Sequence, residues 1–296
     1  MKYIALLFVF IMTFGGLMVA AGIEGGKKLI VGVILPAMPA EMMIIFGVAV
    51  CAFLISNPMH VVKQTMGYFR SLGKPAAHNK EDYVDLLSLL YTLFKLARTK
   101  GWLALEQHIE TPDESSLFAQ FPAVGKNHHA LVFLCDYLRI ISLGNDSPHE
   151  IEALMDEEID TITHHEKHPG HAVQVMADGL PALGIVAAVL GVIKTMGSIN
   201  EPVEILGKMI GSALVGTFLG VWLGYGFAGP IANAMLSRAE TEIMYYKCIK
   251  VGIIAFLNGA APQVAVEFSR KLLPHDVQPS FLELEDKLNE LPTPTS

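Results

Sequence analysis

The chain of 296 residues is 52% hydrophobic and 17% charged, with a mean hydropathy of +0.45. That is too apolar for an ordinary soluble domain and too polar for membrane spans alone, which leaves a polytopic membrane protein with a sizeable aqueous part. A formal net charge of −8 argues against a nucleic-acid binder, and the scattered Cys51, Cys135 and Cys248 make neither a disulfide framework nor a zinc spacing.

Tyr3 to Gly22 is an uncharged apolar run long enough to cross a bilayer. A secretory signal peptide is the competing reading, because Val19-Ala20-Ala21-Gly22 offers small residues for cleavage. The run exceeds the usual apolar region of such peptides, and its removal would leave an odd number of spans. It reads as span one, uncleaved. A Gly/Lys turn, Glu24 to Lys28, then leads to span two within Ile34 to Val62, with Pro36, Pro39 and Glu41 near its outer end.

Residues 63–171 are polar and read as helices. Glu81 to Gly101 is amphipathic, with Val84, Leu87, Tyr91 and Phe94 on one stripe and Gly101 placed to stop it. Thr111-Pro112-Asp113-Glu114 and Ser147-Pro148-His149-Glu150 each match an N-cap, proline, acid start, and the second opens an acidic helix towards span three. His164, His165, His168 and His171 have spacings that could ligate zinc, but no thiolate or second ligand set accompanies them. A polar approach to the membrane is the simpler reading.

Asp178 to Asn200, joined by the residues from Ala172, and the uncharged Met209 to Ser237 give spans three and four. Both are rich in small residues. Pro181, Gly184, Ala188, Gly191 and Thr195 share one helical face, and Ser212, Gly216, Gly220, Gly224 and Ala228 recur every four residues. Pro181 and Pro230 each lie near the end joining the polar part of the chain, where proline removes a helical hydrogen bond. After span four the chain offers two more helices, the last opening at Ser280, and a disordered Leu291 to Ser296.

Charge sets the orientation. Lys63, Arg70 and Lys74 follow span two, and Arg238, Lys247 and Lys250 follow span four. The inter-span turns carry only Lys27 with Lys28, and Lys194 with Lys208. By the positive-inside rule the long loop, the tail and both termini are cytoplasmic. The expectation is an all-α polytopic membrane protein: spans one and two in residues 1–62, a cytoplasmic helical loop in 63–171, spans three and four in 172–237, and a cytoplasmic helical tail in 238–296.

An ion carrier needs an ionisable group at depth. The deep parts of spans three and four hold only hydroxyls, chiefly Ser212 and Thr217, with Thr195 towards the outer end, and Asp178 sits at the cytoplasmic mouth. Either the chain carries no ion, or the carboxylate comes from another subunit, whose helix the small-residue faces would receive.

Several stretches in order, DYVDLLSLLYTLFKLARTKGWLALE, EIEALMDEEI, LPALGIVAAVLGV, LVGTFLGVWLGYGFAGP and LNGAAPQVAVEFSRK, resemble the flagellar motor stator family MotA over most of the chain. The resemblance implies a cell inner membrane protein without enzymatic activity or cofactor, five copies of which surround two copies of MotB. MotB would supply the ion-binding aspartate on one transmembrane helix and a domain that grips peptidoglycan. By the same resemblance, Arg98 and Glu106 look like the charged pair that meets the rotor protein FliG. Pro181 and Pro230 look like the functional prolines at the channel's cytoplasmic end, Thr217 like the channel-facing threonine, and Asp178 like the acid at the mouth. The position that resembles a second threonine in sodium-driven relatives is here Ala188, which favours a proton-driven channel. The histidine-rich stretch departs from the family pattern and carries no role.

Two other readings stay open. An energy-coupling subunit of the ExbB/TolQ kind usually has three spans and no Arg98/Glu106 segment. A secondary transporter is expected to show inverted repeats and a broken-helix site at mid-membrane, and the sequence presents neither.

Overall fold

A computed structural model describes residues 2–71 and 78–291. Lys74 and residues 292–296 lie outside the described residues. Eleven labelled helices, with short 3-10 turns between some of them, make up the described chain: α1 (Lys2–Ala21), α2 (Ile23–Ser56), α3 (Met59–Ser71), α4 (Lys80–Lys100), α5 (Glu106–Glu110), α6 (Pro122–Lys126), α7 (His128–Ser142), α8 (Pro148–Met196), α9 (Val203–Leu257), α10 (Pro262–Leu272) and α11 (Phe281–Glu290). Among the described residues α1, α2, α8 and α9 are long and apolar enough to cross a membrane.

The chain divides into two compact units, one of Met1–Pro75 with Glu166–Ser237, the other of Ala76–His165 with Arg238–Ser296. The first holds the spans. Its core is made mostly of small residues, Ala37, Ala49, Ala177, Ala187 and Ala228, together with Ile45, Leu180, Val215 and Leu219. α1 joins it through aromatic contacts with α9. The Phe10 and Trp222 rings meet edge to face at 4.6 Å, and Trp222 Nε1 donates to Thr13 Oγ1 at 2.9 Å.

Two expectations about the spans are corrected. Glu24 to Lys28 is helix rather than turn; the break is confined to Gly22, whose φ of 73° a residue with a side chain rarely adopts. The helix that holds span two therefore begins at Ile23 and ends before Asn57, so Pro36, Pro39 and Glu41 lie inside the helix rather than at its start. Spans three and four belong to continuous helices of 49 and 55 residues. Proline does not interrupt them. α8 continues through Pro169 and Pro181, and α9 absorbs Pro230 by widening into a π turn at Gly224–Ala228 just before it. A π turn moves the preceding carbonyls outward, which relieves the clash a proline ring makes with the carbonyl four residues back. α2 repeats the device at Ile30–Ile34, ahead of Pro36.

The second unit is organised around α4. Asn79 and Asp82 cap each other's backbone N–H at its start. Gly101 ends it with φ 83°, its N–H bonding to the Ala97 carbonyl. The helix is more deeply buried than a single stripe: Tyr83, Leu86, Leu87, Leu89, Leu90, Leu93, Phe94 and Leu96 are all inside, while Val84 and Tyr91 are half-buried. Around it pack α7, the start of α8, the end of α9, and α10 and α11. Ser280 caps α11 in a reciprocal box with Glu283. Thr111 does not cap a helix: its hydroxyl donates back to the Gln107 carbonyl, and only a 3-10 turn, Pro112–Glu114, follows.

Candidate functional site

Inside the membrane unit α8 and α9 pack antiparallel along their glycines. A Cβ on Gly184 would stand 2.8 Å from the Gly216 carbonyl oxygen, and one on Gly191 2.6 Å from the Ala213 Cβ. A Cβ on Gly220 would stand 2.6 Å from the Leu180 carbonyl oxygen. Side-chain carbons do not approach that closely, so the two backbones meet only because glycine occupies the seam. The glycines of the small-residue faces are thus used within the chain.

Pro181 and Pro230 sit at one end of this seam. Pro181 has no N–H, which leaves the Ala177 carbonyl without its helical donor. That oxygen faces Gly224, where a Cβ would lie 2.8 Å from it and 3.2 Å from Pro181 Cδ. Gly224 opens the π turn that precedes Pro230, so Pro181 packs against the first residue of that turn. Pro230 itself is exposed. Asp178 is exposed too, accepting a hydrogen bond at 2.8 Å from Gln174 Nε2 one turn earlier.

Ala188 and Thr217 are both half-buried and lie at one level. Gly216 marks it: a Cβ there would be 3.1 Å from the Ala188 nitrogen and 3.0 Å from the Ala187 Cβ. The same point is 2.6 Å from Glu41 Oε2. Glu41 was expected at the outer end of span two, and sequence reasoning assigned it no function. It is buried, and among the described residues Oε2 has no hydrogen-bond partner. The signal was available in the sequence, since Glu41 is the one charged residue between Lys28 and Lys63.

In the aqueous unit Arg98 lies in the last turn of α4 and Glu106 opens α5, one on each side of the Gly101 stop. Both are exposed. Glu106 borders a surface recess of about 510 Å³ with Lys100, Leu103, Gln107, His108 and Glu110. Burial holds His108 below the usual imidazole range, and its Nδ1 is hydrogen-bonded to Ser115 Oγ at 2.8 Å. No group of three or more His, Cys, Asp or Glu among the described residues could hold a metal ion. His164 Nε2 lies 3.6 Å from Asp160 Oδ2, one turn earlier on α8.

Four long apolar helices, a backbone-to-backbone seam and mid-span hydroxyl and carboxyl groups define a multi-pass α-helical membrane protein. Residues 3–101 match the motility protein A N-terminal family and residues 126–247 the MotA/TolQ/ExbB proton channel family. Motility protein A of Salmonella typhimurium is 40% identical over 281 residues, 94% of this chain and 95% of its own, and that of Escherichia coli gives the same figures. The flagellar MotAB stator complex from Bacillus subtilis has a chain that superposes with a TM-score of 0.59 at 26% identity, covering 92% of this chain and 97% of its own. The chain belongs to the motility protein A family, within the MotA/TolQ/ExbB proton channel family.

Proposed function

We propose that the chain is a stator subunit of the bacterial flagellar motor, which with a MotB-type partner forms a proton channel and converts ion flow into torque on the rotor. The observation that carries this reading is the near full-length similarity, at 40% identity, to motility protein A. The match of the N-terminal third to motility protein A in particular favours it over an ExbB/TolQ-like subunit.

In this reading the protein sits in the inner membrane with both termini and the aqueous unit in the cytoplasm, which the Lys/Arg distribution supports. It does its work without catalysis or cofactor. Five copies surround a MotB dimer, whose aspartate binds the proton and whose outer domain holds peptidoglycan. Thr217 and Ala188 line the channel level, and Asp178 stands at its mouth. Pro181 and Pro230 transmit the change on protonation, and the contact of Pro181 with Gly224 supports a joint movement of spans three and four. Arg98 and Glu106, exposed on either side of one turn, meet charged groups of FliG.

Co-expression with a single-span, peptidoglycan-binding partner tests the assignment. A stable complex that restores swimming to a stator-deficient cell is the expected result; a chain that purifies alone and transports a solute alone would refute it.

A further inference from the structure

Glu41 lies near the middle of the 34-residue α2, and only 8% of it is exposed. Among the described residues its Oε2 has no hydrogen-bond partner, although a buried, unpaired carboxylate is costly and an acid within a span is functional by default. Packing does not explain it. An apolar side chain would fill the same space without that cost, and the glycine opposite leaves the room that the carboxyl group occupies: a Cβ on Gly216 would lie 2.6 Å from Oε2.

Two surroundings give the carboxyl group a use. It lines a recess of about 260 Å³ with the hydroxyl residues Thr195 and Ser212. The titratable side chains on that recess are Lys194 from α8 and Lys208 from α9, both exposed. Deeper in, it reaches the Gly216 level, where Ala188 and Thr217 lie. The carboxyl group therefore lines a polar recess and abuts Gly216, the residue before Thr217.

We infer that Glu41 is a proton-carrying station of the channel, taking a proton at the recess and passing it inward. The step is a simple transfer. A carboxylate oxygen accepts a proton from hydronium and leaves water; the neutral acid then gives that proton to an inner water or to the partner's carboxylate and is charged again. The inference rests on the proton-channel reading, and its substrate is a proton because one carboxyl oxygen with few oxygen neighbours makes a poor cage for a metal cation.

The test uses the whole complex of this chain with its ion-binding partner, reconstituted in vesicles. Glu41→Gln keeps the shape and cannot carry a proton; Glu41→Asp can carry one at a changed reach. Proton uptake should fall about tenfold or more in E41Q, as for loss of a proton-transferring group. E41D should conduct with a shifted pH profile. Labelling by dicyclohexylcarbodiimide, which modifies protonated carboxyl groups in apolar surroundings, should reach Glu41 and weaken as the pH rises. Parental uptake in an assembled E41Q complex, equal losses in E41Q and E41D with an unchanged pH profile, or no labelling of Glu41 at any pH would each overturn the inference. A parent complex that takes up no protons would instead overturn the channel reading, and this inference with it.

Discussion

Pro181 of α8 packs against Gly224 of α9, its Cδ 3.2 Å from where a Cβ on that glycine would stand. The Ala177 carbonyl, freed by the proline, fills the remaining space 2.8 Å from the same point. A residue larger than glycine at 224 must push the two helices apart.

The glycine seam gives the first prediction. Gly220→Ala and Gly224→Ala, whose new methyl groups meet backbone atoms, should destabilise the complex by about 1–3 kcal/mol, the usual cost of overpacking. Gly207→Ala, in a helix and with nothing within 4 Å, should be neutral or gain up to about 1 kcal/mol from helix propensity. Thermal melts of the detergent-solubilised complex compare them; equal behaviour of all three would remove the seam argument.

Topology is the second. Cysteines placed at Glu110 and Glu290 should resist an impermeant reagent in intact cells, while one at Lys28 should react. All three side chains are exposed in the structure, so failure to react cannot be assigned to burial within the chain. Reaction at Glu110 in intact cells would exclude the four-span orientation.

Charge reversal at Arg98 or Glu106 is the third. Exposed single charges add little to folding, so Arg98→Glu and Glu106→Lys should leave membrane assembly intact. Swimming should be impaired in each, because like charges across an interface are heavily penalised, and opposite reversals on FliG should restore it. Normal swimming by both variants with an unchanged rotor would reject the contact.

The fourth concerns the ion. Sodium must exchange hydration oxygens for protein oxygens, and Ala188 supplies no hydroxyl at the Thr217 level. Swimming should collapse with a protonophore and be indifferent to replacing sodium by potassium at constant pH. Motility that requires sodium and survives the protonophore would contradict the assignment.

Acid stability of the aqueous unit is the fifth. Burial depresses His108 below its ordinary value of 6.5, so the unfolded chain binds that proton first and stability is lost as the pH falls below 6.5. The Arg270 guanidinium, hydrogen-bonded to Glu267 at 2.6 and 2.7 Å, depresses that carboxyl below 4.5, so its contribution is present above 4.5 and lost on further acidification. Melts across pH should show Tm falling in both windows. His108→Gln should flatten the upper one and Glu267→Gln the lower, and an unchanged profile in either variant would remove that residue from the account.

The class of protein, and where its chemistry could lie, were legible from the residues alone. Apolar runs of spanning length, the Lys/Arg asymmetry, the Gly101 stop and the Ser280 cap are local or additive signals, legible without knowing what touches what. So was the small-residue repeat, because its spacing alone puts Gly216, Gly220 and Gly224 on one side of a helix. What that side faces was not legible. Only the tertiary structure decided that α8 fills it, that the prolines are carried by continuous helices, and that α4 is buried beyond one stripe. It also decided the place of Glu41. A side chain's depth depends on where its helix begins and what packs across from it, and the opposing Gly216 lies far away along the chain, beyond the reach of any periodicity.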